Sequence, residues 1–88
     1  MSVEPVPRRS SVQSVDRALQ ILEVIASQGG SATLSELATR TSLPAATTHR
    51  LLKTMTAKGY AVQLRNRSYG LGEKLVPLGE AAARRRGR

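Results

Sequence analysis

The chain has 88 residues and a formal net charge of +8, from 14 Lys and Arg against 6 Asp and Glu. This length fits one small domain with a modest core. Cysteine is absent, which excludes disulfides and thiolate metal sites. No apolar segment approaches the roughly 20 residues that span a bilayer, and the N-terminus lacks a signal peptide's apolar core, so we expect a cytoplasmic protein. A net charge this positive is typical of domains that bind phosphate groups or an anionic membrane surface.

The N-terminal part of the chain predicts a mobile segment followed by a helix. Residues 1–13 are rich in Pro, Ser and Arg, which indicates a flexible basic arm. Ser14 is the predicted N-cap of the first helix, with Asp16 near its positive end, and Gly29-Gly30 predicts where it ends. The predicted buried stripe of this helix consists of Val15, Ala18, Leu19, Leu22, Ile25 and Ala26.

The next segment predicts two helices joined by a tight turn. Thr33-Leu34-Ser35-Glu36 has the spacing of a capping box, which marks the start of a second helix that should end near Thr41. Pro44 suits the first position of a helix, because the N–H that proline lacks has no partner there, so a third helix over about 44–58 should begin at Pro44 or Ala45. Gly59 is the predicted left-handed stop of that helix. Its predicted inward stripe consists of Thr48, Leu51, Leu52 and Met55, and the Thr48 hydroxyl is expected to bond back to a helix carbonyl.

The C-terminal third predicts a hairpin and a last helix. Alternating apolar residues in 60–64 and 69–71 flank the turn-prone Arg65-Asn66-Arg67-Ser68. The last helix is expected from about Lys74 to Arg86, with Pro77 either in its first turn or at its start.

These elements together predict a mainly α fold with a small β-hairpin: a winged helix-turn-helix with a three-helix core, a wing and a C-terminal linker helix. This architecture lays the second helix of its helix-turn-helix in the DNA major groove. The predicted division is a basic arm over 1–13, the winged helix-turn-helix over 14–72, and a linker helix with a basic tail over 73–88.

Several motifs in the same order carry a resemblance to a known family. They are residues 14–22, residues 34–38, Leu43-Pro44, Thr47, residues 49–52, Gly59-Tyr60 and residues 69–72. From about Val12 to Ala82 the chain resembles the DNA-binding domain of IclR-type transcription regulators. The resemblance implies a bacterial repressor or activator that binds palindromic promoter sites as a dimer or tetramer. It also implies that a small-molecule effector acts only through a further C-terminal domain, which is absent from this sequence. The sequence is then expected to be either the DNA-binding half of a regulator or a naturally short relative.

The predicted DNA-contacting residues lie on the third helix and the wing. They are Ala45, Ala46, Thr47, His49, Arg50, Lys53, Arg65 and Arg67. The fork of Arg50 can hold a guanine edge or clasp a phosphate, and Arg65 and Arg67 would track the minor groove or flanking phosphates. Family members often have Lys or Arg and Ser where this chain has Ala45 and Ala46, so an apolar contact to a thymine methyl could replace a polar one.

Each of these residues also has an ordinary structural interpretation. Arg50, Lys53 and the wing arginines could be solvated charges, and a winged helix can serve a protein partner instead of DNA, which is the main alternative function. Binding to a membrane surface would need a helix with Lys or Arg along the edges of its apolar face, and the first helix carries Asp16 and Glu23 instead. Double-stranded RNA is disfavoured because its narrow major groove would not admit the third helix.

The sequence indicates a binding module and not an enzyme. One histidine, His49, with scattered carboxylates supplies neither a catalytic constellation nor a metal site, so no cofactor or metal is expected. Self-association as a homodimer is predicted through an apolar stripe of the last helix, aided by the first helix. The stripe consists of Leu75, Leu78 and Ala82.

Overall fold

The structure, a computed structural model, describes residues 12–87. Its elements in chain order are α1 (Gln13–Ser27), β1 (Ser31–Thr33), α2 (Leu34–Thr41), α3 (Ala45–Lys58), β2 (Ala61–Gln63), β3 (Ser68–Leu71) and α4 (Leu75–Gly87). The predicted fold class is confirmed, since three helices, a wing and a last helix follow one another in the expected order. Most of the predicted arm, residues 1–11, lies outside the described residues.

Helix α1 begins two residues earlier than the predicted N-cap Ser14 implies. It starts at Gln13 behind the extended residue Val12, and no side chain caps its first turn. The prediction that Ser14 is the N-cap is therefore wrong, because Ser14 already lies within the helix. Asp16 does lie in the first turn, where a carboxylate favours the helix dipole.

The buried face of α1 also differs from the predicted stripe. Ile21 and Ile25 are fully buried, whereas Val15 and Leu19 are each 54% exposed and Ala26 is exposed. Ile25 belongs to the predicted stripe, and Ala18 and Leu22 of that stripe are partly buried against the core. The prediction is therefore wrong at the exposed positions, and it missed Ile21. The line through Ile21 and Ile25 is buried because α2, α3 and β3 all pack against α1.

Helix α2 begins at a capping box and ends at a left-handed turn. The Glu36 N–H donates to Thr33 Oγ1 at 3.1 Å, and the Thr33 N–H donates to Glu36 Oε1 at 2.9 Å, so the predicted capping box is confirmed. Helix α2 ends at Thr41, as predicted, and Ser42 turns the chain in the left-handed region at φ 58°. Pro44 then precedes α3 in an extended conformation.

Helix α3 turns its predicted stripe toward the core. Thr48, Leu52 and Met55 are buried and Leu51 is partly buried. The Thr48 hydroxyl donates to the Pro44 carbonyl oxygen at 3.0 Å, as expected. Gly59 ends the helix at φ +89°, which confirms the predicted stop.

The wing contains one strand more than predicted. The hairpin of β2 and β3 is present, and β1 pairs with β3 on its other side, which gives the strand order β1-β3-β2. Ala61 and Tyr69 face the core, while Val62 and Leu64 are exposed on the outer face. The sequence did not indicate β1, because its three residues are too short to show an alternating pattern.

The segment before helix α4 packs closely against the residues that end α3. Helix α4 starts at Leu75, within one residue of the prediction, and Pro77 lies in its first turn, where a backbone N–H needs no helical acceptor. The Lys74 N–H donates to the Gly59 carbonyl oxygen at 3.1 Å, and the Gly72 N–H donates to the Tyr60 carbonyl oxygen at 3.0 Å. The start of α4 is therefore tied to the end of α3.

Candidate nucleic-acid interface

One face of α3 points directly away from the core. Residues of an α-helix are about 100° apart around its axis, so the side opposite the buried Thr48 and Leu52 carries Ala46, Arg50 and Lys53. All three of these outward residues are exposed, as is Ala45 in the first turn. The structure therefore presents two cations on a helix face that is free to enter a groove.

The remaining predicted residues of α3 lie on the two flanks of that face. Thr47 and Arg50 border a cavity on the side of α1. His49 and Lys53 border a second cavity on the side of the wing, with Gln63 at its edge. The predicted residues of α3 therefore lie on its outward face and on two flanks. One flank faces α1, and the other faces the wing.

The wing arginines lie on the loop between β2 and β3. The Asn66 side-chain oxygen accepts from the Ser68 hydroxyl at 2.6 Å, and the Arg67 N–H donates to the Leu64 carbonyl oxygen at 3.2 Å, so the turn has a defined shape. Arg65 and Arg67 are both exposed. Neither borders the two cavities beside α3, so the wing presents its charge as a second, separate element.

The segment that contains α3 and the wing carries charge of one sign, and its cations on α3 and on the wing loop are exposed. Every charged residue between Glu36 and Glu73 is basic, and these residues are Arg40, Arg50, Lys53, Lys58, Arg65 and Arg67. Such a surface attracts a polyanion.

Glu36 is engaged in the capping box. The Thr33 backbone N–H, then the Gln28 side chain, lower the pKa of the Glu36 carboxyl below its ordinary value of 4.5. Gln28 in turn accepts from the Arg40 guanidinium at 2.9 Å. Glu36 and Arg40 therefore stabilise the junction of α1 and α2 through their hydrogen bonds.

Sequence reasoning missed two polar residues beside α3. Arg17 borders the α1-side cavity, and Gln63 borders the wing-side cavity. Arg17 could be placed there only once the buried face of α1 was known. Gln63 is an amide at the base of the wing, and the register of β2 decides where it points.

The described residues offer no evident metal site and no membrane span. Between residues 12 and 87, no group of three or more His, Cys, Asp or Glu side chains is placed to hold a metal ion. Over the same range, no helix has the length and apolar character needed to cross a bilayer.

Comparison with known proteins identifies the family of this chain. Residues 14–65 match the family described as the IclR helix-turn-helix domain. Over 63 residues the chain is 46% identical to the transcriptional repressor IclR of Escherichia coli, covering 72% of this chain and 23% of that protein. It is 48% identical over 58 residues to the acetate operon repressor of Salmonella typhimurium, covering 66% of this chain and 21% of that protein.

Solved structures agree with these sequence matches. An IclR-type transcriptional regulator from Alicyclobacillus acidocaldarius superposes with a TM-score of 0.78 at 32% identity, covering 83% of this chain and 30% of that one. The HmgR structure from Pseudomonas aeruginosa superposes with a TM-score of 0.75 at 34% identity, covering 82% of this chain and 31% of that one.

Three of these four proteins are named as repressors or transcriptional regulators. This chain spans less than a third of the length of each of the four. None of these matches supports the protein-interaction alternative. The chain belongs to the IclR family and carries its helix-turn-helix domain, which makes it a DNA-binding module of transcription regulation.

Proposed function

We propose that this chain binds a specific promoter sequence by inserting α3 into the major groove while the wing lies along the minor groove or the flanking phosphates. The observation that carries the proposal is the exposed outward face of α3. That face presents Arg50 and Lys53, and no acidic residue occurs between Glu36 and Glu73.

Each predicted contact residue of α3 is assigned a role that its side-chain chemistry supports. Arg50 holds a guanine edge or clasps a phosphate with both arms of its fork, and Thr47 offers a hydroxyl to the same region. His49 presents a ring N–H toward the groove. Ala45 and Ala46 leave the first turn of the helix without polar side chains, which suits contact with thymine methyl groups.

Lys53, Arg65 and Arg67 hold the DNA backbone in this proposal. Lys53 meets phosphates from α3, and the two arginines meet them from the wing. Such contacts fix the register of the protein on the duplex and give the affinity a steep dependence on salt.

Binding of the purified chain to duplex DNA tests this proposal. Fluorescence anisotropy would be measured over a salt series, against a sequence selected from a randomised pool and against its scrambled version. We expect tight binding to the selected sequence that resists competitor DNA. Equal, weak binding to every duplex would contradict sequence-specific recognition by this chain.

Substitution of Arg50 separates base contact from phosphate contact. If Arg50 contacts a base edge, Arg50→Ala should cost about 1 to 3 kcal/mol on the selected sequence and much less on the scrambled one. Lys58→Ala, at the far end of the same helix, is the matched control for loss of one positive charge. Equal losses on both duplexes would make Arg50 a phosphate contact.

We also propose that the active form is a homodimer on a palindromic site. Leu78 and Val76 on α4 are more than half exposed, as are Val15 and Leu19 on α1, while Leu75 is partly buried. These apolar side chains support self-association through α4, aided by α1. Analytical ultracentrifugation tests this, and a chain that stays monomeric both free and on a duplex with two half-sites would contradict it.

The proposed organisation assigns DNA binding to residues 14–72, a linker helix and basic tail to residues 73–88, and a basic arm to residues 1–13. In a longer regulator, the linker would lead to a domain that takes a small-molecule effector. We propose a cytoplasmic, non-enzymatic protein, because its partner is genomic DNA and its matched relatives are transcription regulators.

A further inference from the structure

The cavity between α1 and α3 has the chemistry of an anion site. Its lining residues are Ser14, Arg17, Thr47, Arg50, Leu51 and Thr54. The polar side chains among them are guanidinium groups and hydroxyls, and none is a carboxylate. Guanidinium and hydroxyl groups donate hydrogen bonds, and their strongest partners are the oxygens of phosphate and carboxylate groups.

Arg17 is held beside α3 by the packing of its own helix. It lies one turn before the fully buried Ile21, at the edge of the buried face of α1, and its side chain is partly buried. Its position therefore follows from the core and does not depend on a mobile surface chain. A partly fixed arginine loses less conformational entropy when it binds than a fully exposed one.

Two arginines, Arg17 and Arg50, line this one cavity from different helices. Like charges that share a cavity repel each other in the free protein, and an anion between them removes that repulsion. The cavity also includes Thr47, near the start of α3, which is the end of a recognition helix that contacts the bases. The DNA strand that borders the major groove at this end must therefore pass close to α1.

We propose that Arg17 binds one backbone phosphate of each half-site, together with the hydroxyl groups of Ser14 and Thr47. Helix α1 is then a third element of the DNA interface, beside α3 and the wing. This inference rests on the proposed insertion of α3 into the major groove, and it adds a contact that the sequence did not indicate.

Salt dependence of binding gives the first test. Arg17→Gln keeps part of the side-chain stem and removes the charge, and Lys58→Ala is the control for an equal loss of charge on exposed α3. The slope of log affinity against log salt should fall by about 0.9 for Arg17→Gln, by an equal amount on selected and scrambled duplexes. An unchanged slope, or a change no larger than that of Lys58→Ala, would overturn the proposal.

A single neutral phosphate in the DNA gives a sharper test. Duplexes would carry one methylphosphonate at successive positions along the strand that borders the groove. One position per half-site should weaken binding of the wild-type chain and have no further effect on Arg17→Gln, whereas the phosphates held by Lys53, Arg65 and Arg67 should weaken both proteins equally. Additive losses at every position would overturn the proposal.

The outcomes for this contact and for the proposed function are distinguishable. If the wild-type chain binds the selected sequence specifically but Arg17→Gln behaves as the control does, only the contact of Arg17 fails. If the wild-type chain binds all duplexes alike, sequence-specific recognition fails, and the salt slope of Arg17→Gln still decides whether Arg17 contacts a phosphate. Arg17→Lys provides a check on folding, because it keeps the charge and should keep the salt slope.

Discussion

The α-carbon of Gly72 lies so close to the carbonyl oxygen of Gly59 that a Cβ at position 72 would lie 2.1 Å from that oxygen. The neighbouring backbone hydrogen bonds, from Gly72 to Tyr60 and from Lys74 to Gly59, join the same two segments. The Lys74 ammonium also lies 6.0 Å from the centre of the Tyr60 ring, at the limit of a cation–π contact. The end of α3 and the start of α4 therefore form one tightly packed joint.

Gly72→Ala should destabilise the fold, because its Cβ would collide with backbone atoms that cannot rotate away. We expect the free energy of unfolding to fall by about 1 to 3 kcal/mol, as for other overpacked sites. Gly79→Ala is the control, since a Cβ there meets nothing within 4 Å, and it should raise the helical content of α4. Urea unfolding and circular dichroism measure both effects, and equal behaviour of the two variants would contradict the close packing at Gly72.

The capping box of α2 should make stability depend on acidity. Hydrogen bonds hold the pKa of Glu36 below 4.5 in the folded chain, so the carboxylate favours folding above that pH. The contribution is lost as the pH falls through the lowered folded-state pKa. Thermal unfolding of Glu36→Gln should therefore show a weaker loss of stability toward acid than the wild type.

Two further variants check the origin of this effect. Glu80→Gln removes an exposed carboxylate on α4 that takes no part in the capping box, and it is the control for the loss of one negative charge. Thr33→Ala removes the other half of the capping box and should cost about 0.5 to 2 kcal/mol, whereas Thr33→Ser should cost much less. Parallel acid curves for the wild type and Glu36→Gln would count against the role of the capping box.

The buried hydroxyl of Thr48 should be dispensable for folding. The Pro44 carbonyl oxygen that it bonds also accepts from the Thr48 backbone N–H at 3.0 Å, so Thr48→Val leaves no acceptor without a partner. We expect the stability of Thr48→Val to match or exceed that of the wild type by up to about 1 kcal/mol. Thr48→Ala should lose about 0.5 to 1.5 kcal/mol through lost packing, and a Val variant less stable than the Ala variant would contradict this account.

Arg67 occupies a backbone conformation that disfavours it. Its φ of 67° lies in the left-handed region, so Arg67→Gly should raise stability by up to about 1 kcal/mol. Arg65→Gly removes the same charge from the same turn without relieving a positive φ, and it should lower stability. Both variants should reduce the salt slope of DNA binding by about 0.9 if each arginine meets a phosphate. Equal shifts in thermal unfolding would show that the strain at Arg67 is not significant.

Local signals in the sequence were sufficient for most of the fold. The capping box at Thr33, the proline at position 44 and the glycine at position 59 each act through a few neighbouring atoms, and the helix ends follow them. The full buried face of α1 was not predictable in this way, because helical periodicity fits the exposed Val15 and Leu19 as well as the buried Ile21 and Ile25. Only the packing of α2, α3 and β3 selects the line through Ile21 and Ile25.

The candidate site also contains residues that local sequence pattern predicts and residues that only the tertiary fold places. The exposure of Arg50 and Lys53 follows from the period of a single helix, so the sequence was enough to predict it. Arg17 and Gln63 lie beside α3 through contacts between elements distant in the chain. Their positions depend on the tertiary fold, which local pattern does not specify.

The joint between Gly59 and Gly72 fixes the direction in which α4 leaves the rest of the fold. A helix of 13 residues is about 20 Å long at 1.5 Å per residue, so a tilt of about 10° at its base moves its far end by roughly 3.4 Å. That distance matches the axial rise of one DNA base pair, about 3.4 Å. In a dimer held through α4, the tight packing at this joint would thus keep the separation of the two recognition helices constant to within about one base-pair step.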